Sequence, residues 1–491
     1  MRLRGAVAGV AIGALVGLVP AGAAPSAARP VAVAHDPANP FMLDSGANSM
    51  HADSYASDSH PWAGPVSPNA TVQFAGKGPC AGMGVTQQHL LLLQCGGAQN
   101  FTMRLVDPKT LKDLATYKLP PRPSTLQAVE HGSVDTIYSD SSGAYFFLDD
   151  LNRAVVADAA QHIQRIRPMQ GQDGSWSLVQ VNDWDLSKYL PHDCTSATNP
   201  LPSGSCDPLT GVLPDWHGLL WWISRFGRVG TLDPQTGRVH LVWLRGQQIE
   251  NSHAVSEDGV SIVTDRALYQ FRARADGTPY VVWRAPYDRG THRKVGQINQ
   301  GSGTTPTFLG RRYVAITDNA DPRMHVNVYL RATHVTGSRL VCSVPVFGRG
   351  ASATENSLVG YGNGLVVENN FGYANPVAHL EGAVAAGGVT KIVVGREGCH
   401  VAWTSRVVSP SVVPKLARGN GMLYLYSPQP TAPGLDAWYL TVVDWRTGRT
   451  VARIHTGDGL PYDNAFGPIT IGPGNVAYIS CFGGLIAVRD A

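Results

Sequence analysis

The stretch GLLWWISRFGRVGTLDPQTGRVHLVW, residues 218–243, is the clearest indication of the fold. It contains short runs rich in Val, Leu, Ile and Trp, which are separated by glycine and by an Asp-Pro-Gln-Thr-Gly turn. Apolar runs of this length between turn residues are typical of β-strands. The stretch therefore predicts consecutive antiparallel strands and no helix.

The same order of runs and turns recurs along the chain, with a period of roughly 40 to 60 residues, the range of propeller blades. Comparable units occupy residues 89–117, 143–166, 259–283, 311–347, 364–403, 421–454 and 475–491. Helical periodicity is nearly absent, and 54 glycines and 34 prolines supply the turns. The sequence predicts an all-β fold, a single closed β-propeller of four-stranded blades, with eight blades preferred and seven as the alternative.

The last unit, 475–491, stops after its third strand. An open sheet edge in a ring would be a site for unwanted pairing, so a fourth strand has to come from elsewhere. The apolar run TVQFAGK, residues 71–77, lies just before the first full unit and can supply it. We therefore expect the N- and C-terminal parts of the chain to share one blade, with the propeller domain at 71–491 and an N-terminal extension at 35–70.

Three units carry the same turn between their third and fourth strands. The turn stretches are VDPKTLKDLATY (106–117), LDPQTGRVHLVW (232–243) and VDWRTGRTVARI (443–454). In such a turn the Asp carboxylate accepts bonds from backbone amides and a glycine takes a positive φ. The turns resemble the repeat of the PQQ-like, quinoprotein dehydrogenase type of β-propeller. This resemblance implies a propeller fold more than a particular chemistry. The vicinal cysteine pair of many quinone-binding members is absent, so we do not expect PQQ as a cofactor.

Residues 1–34 have the features of an export signal followed by a linker. Arg2 and Arg4 precede an apolar run from Ala6 to Val19, and small residues follow. The apolar run is shorter than the roughly 20 residues that a spanning helix needs. We expect cleavage between about residues 23 and 34, a secreted protein, and no membrane span in the mature chain.

An exported chain with seven cysteines is expected to form disulfides. Cys194 and Cys206 bracket a Ser/Pro/Gly-rich loop, and Cys80 and Cys95 flank one hairpin. The expected pairs are Cys80 with Cys95, Cys194 with Cys206 and, by elimination, Cys342 with Cys399. Cys481 is then left over, either as a nucleophile or, as we expect, as a buried thiol in the apolar run VAYISCF. The odd number of cysteines also allows other pairings.

The charge distribution excludes one class of partner. The net charge is +3, and basic residues are scattered without a long run. A nucleic-acid-binding protein would need a basic patch or stripe. We expect no nucleic-acid partner.

Polar side chains recur where the first two strands of a predicted blade meet one face of the ring. The first strand runs down the channel and the second returns, so residues before the first and after the second share one rim, which we call the upper rim. Glu250 and Asn251 precede a first strand, and Asp265 follows the next. The pattern recurs in ENSLVGYGNGLVVENNFGY (355–373) and around Asp463. TDNADP (317–322) and FFLDDLN (146–152), with Asp149 and Asp150, are expected in the position after a second strand.

Carboxylates and amides that converge on a channel mouth suit Ca²⁺, which takes six to eight oxygen ligands. The predicted ligands are Glu250, Asn251, Asp265, Asp318, Glu355, Asn356 and Asp463. This set is also similar to the metal site of gluconolactonase and strictosidine-synthase-like propellers, which are six-bladed. The alternative is that each side chain only caps its own turn.

Other candidate residues lie near the same rim. His253 is a candidate general base, with a hydrogen-bonded core histidine as the alternative. Tyr287, in the polar loop YDRGTHRK (287–294), is a second candidate for proton transfer. The predicted substrate-binding residues are Arg289, Arg293, Asn369 and Asn370. The alternative for the loop is a solvated connection without a ligand.

Two functions follow from these patterns. The first is a secreted β-propeller that binds an extracellular glycan, small molecule or protein on its upper face, with a polar, calcium-binding channel. The alternative is a metal-dependent hydrolase, lactonase or polysaccharide lyase that acts at the same mouth. The sequence contains no GxSxG, HExxH or P-loop motif that would favour a specific chemistry.

Overall fold

A computed structural model describes residues 36–96, 101–121, 125–126, 143–192, 206–380, 382–432 and 435–491. The predicted export signal at 1–34 lies outside the described residues. The strands form eight sheets, and their order in each sheet follows the chain except where N-terminal strands join. The prediction of an all-β, eight-bladed propeller is confirmed.

Two strands precede the first complete blade: β1 (Ser59–His60) and β2 (Thr71–Gly76). Blade 1 consists of β3 (Cys80–Val85), β4 (Leu91–Gly96), β5 (Phe101–Val106) and β6 (Asp113–Leu119). Blade 2 consists of β7 (Phe147–Leu148), β8 (Ala154–Ala157), β9 (His162–Gln170) and β10 (Trp176–Asp185). Blade 3 consists of β11 (Leu209–Pro214), β12 (Leu220–Ser224), β13 (Arg228–Leu232) and β14 (Val239–Trp243).

Blade 4 consists of β15 (Ala254–Ser256), β16 (Gly259–Val263), β17 (Ala267–Ala273) and β18 (Pro279–Pro286). Blade 5 consists of β19 (Thr307–Leu309), β20 (Tyr313–Thr317), β21 (His325–Leu330) and β22 (Leu340–Pro345). Blade 6 consists of β23 (Val359–Tyr361), β24 (Gly364–Glu368), β25 (Val389–Gly395) and β26 (Gly398–Ser405).

Blade 7 consists of β27 (Lys415–Ala417), β28 (Met422–Ala432), β29 (Leu435–Asp444) and β30 (Thr450–Asp458). Blade 8 consists of β31 (Ile469–Gly472), β32 (Val476–Cys481), β33 (Gly484–Arg489) and the N-terminal β2. The helical elements with described bounds are short: α1 (Pro376–Leu380) and the 3-10 turns Ser187–Tyr189 and Leu460–Tyr462. No helix in the described part of the chain has the length and apolar character needed to cross a membrane.

Blade 8 closes the ring as predicted. Strand β2 pairs antiparallel with β33, with Thr71 opposite Arg489 and Gly76 opposite Gly484. This pairing covers the edge that three C-terminal strands alone would leave open. The termini of the propeller therefore share one sheet.

Apolar side chains from facing sheets fill the space between the blades. In blade 3, Trp221 and Trp222 are almost fully buried. A Cβ atom on Gly230 would lie 2.1 Å from the Trp222 ring, so a glycine in β13 makes room for the indole. Tight packing of large side chains between sheets is what fixes the ring.

The predicted aspartate turns connect third and fourth strands. Asp233 accepts a 2.9 Å bond from the Gln235 backbone N–H and a 2.7 Å bond from the Thr236 hydroxyl. Gly237 follows with a φ of 70°. In blade 1, Leu111 takes the same backbone position with a φ of 57°.

The predicted N-terminal extension lies largely inside the ring. We call residues 36–63 the channel segment. Backbone N–H groups on the innermost strands donate to its carbonyls: Val85 to Ala47 at 2.8 Å, Val255 to Ser54 at 2.7 Å, Phe308 to Tyr55 at 3.0 Å and Gly360 to Ser57 at 2.9 Å. Strand β1 also pairs in parallel with β27. The segment thus satisfies backbone groups that the channel-facing edges of the blades leave unpaired.

Two of the predicted disulfides are confirmed. Cys80 and Cys95 link β3 to β4 within blade 1. Cys342 and Cys399 link the outer strands of blades 5 and 6. Cys194 lies outside the described residues, and Cys481 is a free, buried thiol, as expected.

The predicted position of Asp149 and Asp150 is wrong. They directly follow β7, which is the first strand of blade 2, and so lie at the rim opposite the upper rim. We call this the lower rim. The prediction assumed that the strand before Asp149 is the second strand of its blade, but this strand is β7, the first. The residue at the upper rim after the second strand, β8, is Asp158.

Candidate functional site

Three of the predicted metal ligands come together at the upper end of the channel. Glu250, Asn251 and Glu355 are all buried. The Tyr145 hydroxyl donates a 3.1 Å hydrogen bond to Asn251 Oδ1. Burial and the neighbouring carboxylate of Glu250 raise the pKa of Glu355 to about 8. Glu355 is therefore protonated near neutral pH.

Protein groups already neutralise this cluster. The guanidinium of Arg225, from the end of β12, donates to Glu250 Oε1. One carboxylate paired with a cation and one carboxyl that keeps its proton leave little net negative charge. The cluster is therefore buried and close to electrically neutral.

Asn356 lies apart from these residues, in a second buried pair. Its side-chain amide donates to Glu368 Oε1 and, at 2.8 Å, to the Val412 carbonyl. Burial raises the pKa of Glu368 well above its ordinary value. Glu368 and Asn356 connect the end of β24 to the segment that precedes blade 7.

The other predicted ligands are bound by separate protein groups. Their partners are Arg289 for Asp265, His325 for Asp318 and Tyr373 for Asp463, at 3.0, 2.9 and 2.7 Å. Within the described ranges, no group of three or more His, Cys, Asp or Glu side chains is arranged to hold a metal ion. Calcium stays a prediction.

Of the two candidate catalytic residues, His253 is buried and Tyr287 is partly buried. His253 is 1% exposed, and burial lowers its pKa to about 3. It borders a small cavity against the channel segment, next to His51. The Tyr287 hydroxyl donates to the Thr264 carbonyl and accepts a 2.8 Å bond from the Ser302 N–H. Burial raises the Tyr287 pKa.

A long connection between blades 4 and 5 lies over the upper end of the channel. We call residues 287–303 the upper loop. Cβ atoms added to Gly296 and Gly303 would lie 2.5 Å from the Asn370 carbonyl oxygen and 2.7 Å from Glu355 Oε2. The loop therefore packs directly on blade 6 and on the Glu355 carboxyl.

The predicted substrate-binding residues hold this face of the protein together. Arg289 Nε donates to the Asp265 carbonyl at 3.0 Å, and Arg293 Nη1 donates to the Ile298 carbonyl at 3.3 Å. The partners of the two asparagines are the Gly387 carbonyl for Asn369, at 2.9 Å, and the Glu355 N–H for Asn370, at 2.6 Å. Each side chain has a protein partner that orders the rim.

Below this layer, the channel segment supplies a charged network of its own. His51 stacks on Tyr145 with ring centroids 5.7 Å apart. Its Nδ1 lies 3.2 Å from the Asp58 carboxylate, and its Nε2 lies 3.1 Å from the Thr305 hydroxyl. Asp58 also bonds the ammonium of Lys415. These contacts tie the segment to the blades from inside.

A cavity of about 780 Å³ opens at the lower rim, where the channel segment spreads out. We call it the lower cavity. Its wall combines carboxylates, aromatic rings and an arginine. Residues of the channel segment in the wall include Asp36, Asp44, Asp53, Tyr55 and Trp62, and residues of the blades include Gln87, His89, Tyr361 and Arg418.

The carboxyl groups of the lower cavity differ in their roles. Asp53 accepts bonds from the backbone N–H groups of Tyr55 and Ser57, at 3.0 and 3.1 Å, and thus shapes the segment. Burial and the nearby Asp53 raise the pKa of Asp36 to about 7. Asp44 is exposed. Asp36 and Asp44 are therefore the carboxyl groups available to a ligand.

Polar atoms without protein partners also occur in this wall. Ser45 Oγ and Asn48 Oδ1 are buried and have no hydrogen-bond partner in the described structure. Both residues line the lower cavity. Buried polar groups are normally hydrogen-bonded, so these unpaired atoms indicate that the wall can bind a polar ligand or water.

No sequence pattern predicted the lower cavity. Residues 35–70 were expected to form an N-terminal extension to the propeller domain, although HADSYASDSHPW (51–62) is richer in His, Asp and aromatic residues than a linker requires. That composition was the available signal. Where this stretch lies depends on closure of the ring around it.

The fold and this cavity define an eight-bladed β-propeller with a filled channel. No family model matches the chain. It is 25% identical over 510 residues to an uncharacterized protein of Archaeoglobus fulgidus, in an alignment that covers 93% of this chain and 90% of that protein.

Similar solved structures include a europium-containing methanol dehydrogenase, with a TM-score of 0.48, 10% identity, and coverage of 89% of this chain and 97% of that chain. A streptogramin B lyase has a TM-score of 0.41 and 8% identity, with coverage of 87% and 99%. These similarities carry no argument about activity.

Proposed function

We propose that the protein is a secreted binding propeller that holds a short glycan, or another small hydroxylated molecule, in the lower cavity. One observation carries the proposal: the cavity of about 780 Å³ at the lower rim, with polar and aromatic walls. Ligand sites of small molecules are concave, roughly 300 to 1,000 Å³, and have a few convergent polar groups. The proposal thus retains the predicted extracellular ligand but assigns its site to the lower rim and not to the upper face.

The chemistry of the wall favours a neutral, hydroxylated ligand. Hydroxyl groups of a sugar can donate to the carboxylates of Asp36 and Asp44 and accept from the guanidinium of Arg418. The apolar faces of a sugar ring can pack on Trp62 and Tyr361. A ligand with both features matches the cavity better than a purely apolar or a strongly anionic one.

The upper rim is a weaker candidate for the ligand. Glu250, Asn251 and Glu355 are buried, Arg225 and Tyr145 already bond to Glu250 and Asn251, and the upper loop packs over Glu355. A substrate would have to displace these contacts. The alternative of a metal-dependent hydrolase, lactonase or lyase at that rim stays a prediction of the sequence.

Secretion is supported by the two disulfides, because such bonds persist in oxidising compartments. The predicted export signal at 1–34 agrees with this proposal. Terminal sequencing of the protein from its culture medium tests it, with cleavage expected between about residues 23 and 34. Recovery of the full-length chain only inside cells would contradict secretion.

Binding is tested with the mature protein on an array of short glycans, followed by calorimetry with the strongest hit. We expect Asp44→Asn and Trp62→Ala to weaken binding by about tenfold or more, the effect of losing one good polar or aromatic contact. The matched controls are Glu397→Gln, in the exposed turn between β25 and β26, and Trp243→Ala, at a position on β14 that is 41% exposed. Absence of any glycan hit, or equal binding by the Asp44 and Trp62 variants and the mature protein, would refute the proposal.

A further inference from the structure

A second cavity, of about 480 Å³, lies between blades 5 and 6 at the outer part of the upper rim. We call it the inter-blade cavity. It is bounded by the end of β22 with the residues after it, by the start of β25, and by the end of β26. It lies outside the ring channel and shares no lining residue with the lower cavity.

Among the described residues that line the inter-blade cavity, two are positively charged and none is acidic. Two arginines, Arg323 and Arg406, line it together with hydroxyl-bearing and apolar residues. The Thr390 and Thr404 hydroxyls lie 3.2 Å apart across the β25–β26 pair. Phe347 and Val401 add apolar surface. Val401 is 44% exposed.

Both arginines lack the protein partners that other arginines of this fold have. Arg225 pairs with Glu250 and Arg289 with Asp265. Neither cavity arginine forms an ion pair or side-chain hydrogen bond within the described ranges. The Nε atom of Arg323 is buried and has no hydrogen-bond partner there. A guanidinium in a cleft with a buried, unsatisfied donor is a site for an anionic acceptor.

We propose that the inter-blade cavity binds a small organic anion. The oxyanion, a carboxylate or a phosphate monoester, lies between the guanidinium groups of Arg323 and Arg406, whose forked donors match such groups. The apolar body of the ligand packs against Phe347 and Val401. Thr390 and Thr404 donate hydrogen bonds at the floor.

The experiment uses calorimetric titration of the mature protein at low salt with hexanoate, hexyl phosphate, hexanol and inorganic phosphate. We expect saturable binding of at least one of the two hexyl anions, tighter than inorganic phosphate, and no binding of hexanol. Arg323→Gln/Arg406→Gln should weaken binding by about tenfold or more, because hydrogen bonds to charged groups are lost. Arg446→Gln, an exposed change at the lower rim, removes one positive charge, as each of the two cavity substitutions does. It should leave binding unchanged.

Arg406→Gln alone, at an exposed position, gives a second variant with little effect on folding, and it should also weaken binding. The proposal would be overturned by no saturable binding of either hexyl anion, by equal binding of hexanol, or by wild-type affinity in the double variant. An equal loss in Arg446→Gln would reduce the effect to overall charge and would overturn it as well. None of these results bears on glycan binding in the lower cavity.

Discussion

Asp58 and Lys415 form an ion pair with both side chains at 0% exposure, across 357 residues of sequence. The pair joins the channel segment to β27, the innermost strand of blade 7. Burial opposes the charge on Asp58, but Lys415 and His51 lower the pKa of this carboxyl below its ordinary value. The ring is thus fixed to its own N-terminal segment by charges that have no contact with water.

Removal of one member of this pair should be costly. We expect Lys415→Met to lower the free energy of unfolding by about 3–5 kcal/mol, because an uncompensated buried charge remains. Urea unfolding measures the loss. The double variant Asp58→Asn/Lys415→Met removes both charges and should be more stable than Lys415→Met alone. A single variant with wild-type stability would show that the pair contributes nothing.

Glu355 should make stability depend on pH. Its pKa is 4.5 in the unfolded chain and about 8 in the fold, so the folded state holds the proton more tightly. The unfolded state binds fewer protons between these values, and stability falls as the pH rises from about 4.5 to 8, by at most roughly 1.4 kcal/mol per pH unit. Glu355→Gln should flatten this slope, measured by urea unfolding at several pH values. An unchanged slope, equal to that of the exposed control Glu397→Gln, would contradict the assignment.

Gly303 should tolerate no side chain. A Cβ atom there would lie 2.1 Å from the Thr354 carbonyl oxygen and 2.7 Å from Glu355 Cα, so backbone has to move. We expect Gly303→Ala to cost about 1–3 kcal/mol, as overpacked sites do. Thermal melting measures the loss. Gly76→Ala, where no atom lies within 4 Å of an added Cβ, is the matched control. Equal melting temperatures for both variants would show that the upper loop is not packed as described.

The disulfide between blades 5 and 6 should matter more than the one within blade 1. Cys342 and Cys399 are 57 residues apart, whereas Cys80 and Cys95 are 15 apart. Chain entropy predicts a loss of about 4 kcal/mol for the longer loop and about 3 kcal/mol for the shorter one. Paired Cys→Ser variants, compared by urea unfolding, test this order. A larger loss for the blade 1 pair would reverse it.

Calcium at Glu250, Asn251 and Glu355 is tested by thermal melting at pH 7 after treatment with a chelator. Arg225 pairs with Glu250, and Glu355 keeps its proton up to about pH 8, so we expect added Ca²⁺ to leave the melting temperature unchanged. A bound ligand stabilises the fold in proportion to its affinity and concentration. A rise in melting temperature on addition of Ca²⁺ would therefore support the sequence-based prediction.

The candidate site was predictable only in part. Glu250, Asn251 and Glu355 do meet at the upper end of the channel, because closure of the ring brings the starts of first strands together. Asp318 and Asp463 do not join them; their carboxylates are hydrogen-bonded to His325 and Tyr373 instead. Which of several polar neighbours pairs with a carboxylate depends on distances that no sequence pattern contains.

The blades follow from local sequence patterns. The apolar runs, the aspartate turns and the missing fourth strand in 475–491 are local features, and TVQFAGK is the apolar run placed to complete blade 8. What fills the channel, and where a ligand fits, depend on the tertiary fold. Residues 36–63 have no strong strand pattern, and their place is fixed by unpaired backbone edges and by Lys415 once eight blades have closed around them. Local patterning specifies strands because their hydrogen bonds and buried faces repeat, whereas the channel and its mouths exist only as a product of closure.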